Sequence, residues 1–199
     1  MNKLTAIFLG PQGSGKGTQI QLLKEAMVAQ DATRKIVHFE MGKQLRELAT
    51  KDDYTGRLTN EILQQGGLIP YAISASLFAQ YLMDTMHTGE EDLIIDGFPR
   101  TATQVPTLDS ALVEFYKRDM PTVVCINISD DEAVARLLKR GRHDDTEESI
   151  RKRLAWSRKD TMPNIEWFRA NPLYRVVDID GERTVEAIHA DILAKLGLA

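Results

Sequence analysis

The amino-acid sequence predicts an α/β fold with a mostly parallel central sheet and helices on both faces of that sheet. Short apolar runs alternate with longer stretches of helical periodicity along the chain. Several of these runs are nearly continuous in apolar and β-branched residues, which is typical of strands covered on both faces. A glycine-rich loop also follows the first apolar run and precedes the first helical stretch. Strands separated by helices imply βαβ units, and therefore parallel neighbours.

The predicted elements follow one another in a regular order. Strands are predicted at residues 4–9, 35–39, 93–95, 122–128 and 174–179. Helices are predicted around residues 16–30, 42–50, 55–65, 71–87, 105–118, 131–140, 146–169 and 184–196. We expect Asp130 or Asp131 to cap the sixth helix, and Asp145 to cap the seventh in a capping box with Glu148.

Composition indicates one ordinary domain and excludes several classes of function. A chain of 199 residues with 43% hydrophobic residues can bury a single core. The net charge of −4 argues against nonspecific nucleic-acid binding as the main activity. A single cysteine, Cys125, excludes an intrachain disulfide and is expected to be an inert buried thiol. We expect a soluble cytoplasmic protein, because no run reaches about 20 apolar residues and the amino-terminal run is too short for a signal peptide.

The strongest motif runs from Gly10 to Thr18 and reads Gly-Pro-Gln-Gly-Ser-Gly-Lys-Gly-Thr. Its position between a strand and a helix is that of a P-loop, whose backbone N–H groups converge on phosphate. The predicted phosphate contacts are Gly13, Ser14, Gly15, Lys16, Gly17 and Thr18. Gly17 stands where the P-loop pattern has a hydroxyl residue, and Thr18 supplies that hydroxyl one position later. The alternative interpretation is a glycine-rich turn without a ligand.

A second motif, Asp96-Gly97-Phe98-Pro99-Arg100, ends the third predicted strand. In a chain with a phosphate loop, an aspartate at this place is expected to orient the water molecules of Mg²⁺. Thr18 is the nearby hydroxyl for the same ion. Without the loop, a turn or helix-capping aspartate would be the favoured interpretation.

A third motif is an arginine-rich segment, since residues 136–159 hold nine of the 25 Lys and Arg residues. Together with the loop, the Asp96–Arg100 run and Gln104 four residues after it, this order resembles the adenylate kinases, within the nucleoside monophosphate kinases. The resemblance implies a P-loop three-layer sandwich with its core at 1–37, 71–138 and 147–199. It also implies a helical insertion at 38–70 that binds the monophosphate, and a short lid at 139–146.

The resemblance implies reversible phosphoryl transfer from ATP to AMP, giving two ADP with Mg²⁺. By position, Arg136 stacks on the ATP adenine beside the phosphate loop. The residues implied to be catalytic are Lys16, Arg100, Arg140, Arg142 and Arg153, of which the last three resemble the arginines that hold the transferring group. Those implied to hold AMP are Met41, Gly42, Arg46, Gly67, Leu68, Ile69, Gly97, Arg100 and Gln104. The lid is too short for the zinc site of long-lid members, and a monomer without nucleic-acid or membrane partners is expected.

One departure from the family pattern leaves two alternatives open. Phe39-Glu40-Met41-Gly42 stands where adenylate kinases usually have Ser-Thr-Gly, so Met41 replaces a threonine associated with the base. This departure allows a kinase of another monophosphate, such as UMP or CMP, although Gln104 favours adenine. A nucleotide-binding regulator without catalysis is the second alternative, and the retained lysine and arginines argue against it. Trp156 and Trp167 are expected to be packing residues.

Overall fold

The computed structural model describes residues 3–141 and 146–199, and its central sheet is parallel throughout them. The strands are β1 (Thr5–Leu9), β2 (Ile36–Glu40), β3 (Asp92–Asp96), β4 (Thr122–Asn127) and β5 (Arg175–Asp180). Their order across the sheet is β2-β3-β1-β4-β5. Each neighbouring pair runs parallel, which confirms the predicted βαβ architecture. The carboxyl ends of β1, β2 and β3 therefore meet at one edge.

Helices connect the strands as the periodicity predicts. They are α1 (Lys16–Gln30), α2 (Met41–Ala49), α3 (Tyr54–Gln64), α4 (Tyr71–Thr85), α5 (Val105–Asp109), α6 (Asp130–Arg140), α7 (Glu147–Trp156), α8 (Met162–Ala170) and α9 (Val185–Leu196). The predicted insertion at 38–70 thus begins within β2 and contains α2 and α3. Within the described residues, no helix has both the length and the apolar character to cross a membrane.

Two predicted helices are interrupted by wider π-helical turns. The helix expected at 105–118 becomes π-helical over Ser110–Phe115 and ends before Lys117, which has a φ of +50°. The helix expected at 146–169 becomes π-helical over Ser157–Thr161, between α7 and α8. Pro163 lies in the first turn of α8 and has no N–H to donate, so the regular hydrogen-bond ladder cannot continue through it.

The starts of two helices also differ from expectation. Ser129 precedes α6, so the predicted caps Asp130 and Asp131 instead lie in the first helical turn. Their negative charges there complement the partial positive charge of the helix amino end. Thr146 caps α7 through its Oγ1, which accepts a hydrogen bond from the Ser149 N–H at 3.2 Å. The predicted cap Asp145 lies outside the described residues.

Both faces of the sheet are covered by helices, which confirms the three-layer arrangement. Along β1, Ile7 and Leu9 face the layer that contains α4, α5 and α8, while Ala6 and Phe8 face α1 and α9. These side chains are at most 2% exposed. Burying an aliphatic or aromatic side chain of this size stabilises the fold by about 2 kcal/mol. A third cluster joins α6 to α7 through Leu137 and Ile150.

Candidate active site

A cleft of about 500 Å³ lies at the carboxyl edge of the sheet. The loop after β1 forms one wall, and Glu40 and Asp96 come from the ends of β2 and β3. Helices α2 and α7 contribute Arg46 and Arg153 to other parts of the lining. Ligands of open parallel sheets bind at this edge, because strand ends and helix amino ends converge there.

The loop after β1 has the backbone shape that a phosphate cradle requires. Gly10, Gly13 and Gly15 have φ values of +135°, +86° and +90°, which side chains with a Cβ rarely adopt. At Gly13 a Cβ would also lie only 2.9 Å from the Ala133 carbonyl oxygen. The loop leads directly into α1, whose amino end adds partial positive charge. These features fit the predicted anion-binding role.

Lys16 lies back over the loop that precedes it. Its Nζ donates hydrogen bonds to the carbonyl oxygens of Gly10 and Pro11, both at 2.9 Å. Burial lowers the pKa of Lys16, and the nearby Asp96 carboxylate opposes that shift. The ammonium group is therefore held at the mouth of the cradle by backbone oxygens.

Asp96 and Thr18 line the same cleft and form the oxygen donor set expected for Mg²⁺. Burial raises the pKa of Asp96, Lys16 opposes this rise and Glu40 adds to it. A carboxylate and a hydroxyl suit a hard cation that keeps most of its water molecules. No group of three or more His, Cys, Asp or Glu residues within 3–141 and 146–199 is arranged to hold a metal ion. The residues present fit an ion held mainly by phosphate oxygens and water.

The cleft concentrates positive charge in a chain whose net charge is −4. Its cationic lining residues are Lys16, Arg46, Arg100, Arg136, Arg140 and Arg153. Burial lowers the pKa of Arg100, with Asp96 opposing the shift and Arg46 and Arg153 adding to it. This mutual repulsion is what a polyphosphate would relieve. The predicted catalytic residue Arg142 lies outside the described residues.

Some of the predicted AMP-binding residues do not line this cleft. Gly42, Arg46, Gly67 and Arg100 do, whereas Met41, Leu68, Ile69, Gly97 and Gln104 do not, and neither does Ser14 of the loop. Met41 is only 2% exposed and belongs to the core beneath α2. Gly97 lines a smaller recess beside the cleft.

Gln104 is held by neighbouring groups. Its Oε1 accepts a hydrogen bond from the Arg100 N–H at 2.6 Å, and its Nε2 donates to Ser74 Oγ at 2.9 Å. The side chain is 4% exposed. In this arrangement Gln104 fixes the backbone that carries Arg100.

Seven of the residues that line the cleft were not predicted from the sequence, and two of them, Glu40 and Trp156, contact its arginines. Glu40 forms an ion pair with Arg46, with 2.7 Å between Oε1 and Nη2. Trp156, expected to be a packing residue, donates from Nε1 to the Gly66 carbonyl oxygen at 3.1 Å. The Arg100 guanidinium lies 5.7 Å from the centroid of the same indole. A signal for Trp156 existed, because it lies three residues after Arg153 and therefore shares its helix face.

Comparison with known proteins agrees with this geometry. A family model described as adenylate kinase matches residues 8–172. The adenylate kinase of Corynebacterium urealyticum is 34% identical, over 96% of this chain and 97% of that protein. Adenylate kinase 1 of a Nostoc species is 35% identical with the same coverage. The adenylate kinase of Corynebacterium glutamicum is 34% identical over 96% of this chain and 98% of its own length. The chain therefore belongs to the adenylate kinase family.

Proposed function

We propose that this protein transfers a phosphoryl group reversibly from ATP to AMP, giving two ADP with Mg²⁺. The observation that carries the proposal is the single cleft in which a glycine-rich phosphate loop and Lys16 face five arginines. The names and full-length similarity of the relatives support the same reaction.

The donor phosphates bind over the loop between β1 and α1. Gly13 to Thr18 supply backbone N–H groups, the amino end of α1 adds partial charge, and Lys16 exchanges its carbonyl contacts for the outer phosphates. Arg136 borders this side of the cleft and stacks on the donor adenine.

The acceptor phosphate binds between Arg46 and Arg100 on the opposite side. Arg140 and Arg153 stabilise charge on the transferring group, together with Arg142. Arginine suits this task because its planar guanidinium grips two oxygens and stays charged at any working pH. Gly67 lines the cleft where the acceptor base would lie, with Leu68, Ile69, Met41 and Gly97 behind that wall. Gln104 acts on this side by fixing the backbone of Arg100.

No general base is required for this reaction. The nucleophile is a phosphate oxygen that already carries negative charge, so catalysis consists mainly of positioning and electrostatic stabilisation. Asp96, through water, and Thr18 would hold Mg²⁺. When bound, that ion supplies further neutralisation of the phosphate charge. Closure of the insertion at 38–70 and the lid at 139–146 excludes water as a competing acceptor. The proposal includes a monomer in the cytoplasm.

The alternative of another monophosphate substrate rests on Met41. Because that side chain is buried in the core, its replacement of threonine changes packing beneath α2 more than it changes the surface offered to a base. This geometry favours AMP over the pyrimidine monophosphates.

Initial rates with Mg-ATP and each of AMP, CMP, UMP, GMP and dAMP test the proposal. We expect AMP turnover to exceed that of the others, with a Lys16→Met variant as the control for contaminating kinases. A different preferred monophosphate would overturn the assignment of AMP. Absence of transfer to all five, with ATP still bound, would favour the nucleotide-binding regulator.

A further inference from the structure

Glu40 places a carboxylate directly on an arginine of the acceptor side. Its Oε1 lies 2.7 Å from Arg46 Nη2, and both residues line the cleft. The two side chains are 31% and 39% exposed, so a ligand entering the cleft can reach them. Glu40 therefore already occupies the Arg46 guanidinium, and the proposed function assigns that guanidinium to the acceptor phosphate.

The local backbone fixes this contact. Glu40 is the last residue of β2 and immediately precedes α2, while Arg46 lies in the last turn of that helix. The guanidinium crosses Gly42, where a Cβ would lie 2.9 Å from Arg46 Nη1 and 3.6 Å from Glu40 Oε1. A glycine at this position leaves the space through which Arg46 reaches back to the strand end.

The charges around Glu40 make it oppose an incoming phosphate. It pairs in register with Asp96 on β3, so two carboxylates lie side by side at the strand ends. The positive charges of Lys16 and Arg100 interact with the Asp96 carboxylate, whereas Glu40 forms an ion pair with Arg46. A phosphate bound to Arg46 would either displace this carboxylate or lie within a few ångströms of it, and like charges at that distance repel.

We propose that Glu40 competes with the acceptor phosphate for Arg46 and so weakens acceptor binding without affecting the donor. The inference rests on the proposed function, in which Arg46 holds that phosphate. It also makes Glu40 a specificity residue. Inorganic phosphate has no base or ribose to compensate for displacing the carboxylate, whereas a nucleoside monophosphate does.

The test compares Glu40→Gln with a matched control. Glutamine keeps the shape and an oxygen for Arg46 but removes the charge. Glu47→Gln is the control, because Glu47 lies in α2 near Glu40 in sequence, is 58% exposed and has only long contacts, with Lys43 at 3.8 Å and Gln44 at 3.4 Å. Both variants remove one negative charge, so a difference between them comes from the place of Glu40 beside Arg46 and not from the change in net charge. Glu40→Ser is a second variant that removes the carboxylate and leaves only Cβ and a hydroxyl group.

We expect both Glu40 variants to lower the KM and the calorimetric Kd for AMP about fivefold, the size of one partly exposed ion pair. The KM for ATP should stay within about twofold, and inorganic phosphate should become a stronger inhibitor competitive with AMP. Glu47→Gln should match the parent protein. An unchanged or weaker AMP affinity in Glu40→Gln would overturn the inference, because Glu40 would then position Arg46 for its ligand. AMP binding is measured without turnover, so failure of the proposed reaction is seen separately.

Discussion

The donor and acceptor sides of the cleft are built in different ways. The side that we propose for the donor is built mainly from one loop, Gly10 to Thr18, which offers backbone N–H groups and one lysine, with Arg136 beside it. The side proposed for the acceptor gathers side chains from four segments, represented by Glu40, Leu63, Arg100 and Trp156. A cradle of backbone tolerates few substitutions, because Gly10, Gly13 and Gly15 have positive φ values that side chains with a Cβ rarely adopt. In a pocket built from side chains, one residue can be replaced while the others keep their places, and Glu40 is an example.

The largest effect on turnover is expected when the positive charge of Lys16 is removed from the donor side. Lys16→Met should lower turnover about 10³-fold, because Lys16 is the ammonium that replaces its carbonyl contacts by the outer phosphates. Lys51→Met, at an exposed position outside the cleft, should leave turnover unchanged. The measurement is steady-state kinetics with both substrates varied. A loss of less than tenfold would contradict the idea that the donor side depends on this one side chain.

Alanine substitutions at one glycine of each side should have opposite effects on the stability of the protein. Gly13→Ala should lower the free energy of unfolding by about 2 kcal/mol, since its φ is +86° and its Cβ would meet the Ala133 carbonyl oxygen. Gly42→Ala lies in the first turn of α2, where alanine gains up to about 1 kcal/mol in helix propensity and its Cβ would meet only the flexible ends of Arg46 and Glu40.

We therefore expect Gly42→Ala to keep or raise stability and to change the KM for AMP alone. Denaturant unfolding and substrate kinetics of both variants provide the readout. If the two alanines destabilise the protein equally, the contrast between a backbone cradle and a side-chain pocket is wrong.

A smaller effect is expected at Trp156. Trp156→Phe keeps a ring against Arg100 but loses the hydrogen bond to the Gly66 carbonyl oxygen. One such bond contributes about 1 kcal/mol, so the KM for AMP should rise by up to about fivefold while the KM for ATP stays constant. Trp167→Phe, which removes the other tryptophan at a 40% exposed site, is the matched control. An equal rise in both KM values would show that Trp156 serves the two sides alike.

The sequence predicts features made of consecutive residues better than contacts between side chains from separate segments. The sheet, its parallel neighbours and the place of the glycine-rich loop between β1 and α1 depend on local periodicity and on consecutive residues, so they are confirmed nearly as predicted. The contact of Glu40 with Arg46 depends on how β2 turns into α2 across Gly42, which no spacing rule describes. Gln104 was assigned to a base by resemblance, yet its amide is engaged by Arg100 and Ser74. The roles of these side chains stay predictions until substrates are measured.

The burial of Cys125 has a practical consequence for following movements of this protein. The thiol lies in β4, between β1 and β5, with no exposed surface, and burial raises its pKa to about 12. At neutral pH it is therefore protonated and shielded from maleimides and other alkylating dyes. Because the chain has no other cysteine, new cysteines placed on α2 and α6 can carry a donor and acceptor dye pair without removal of the native one. Distances across the cleft then become measurable in an otherwise unmodified protein.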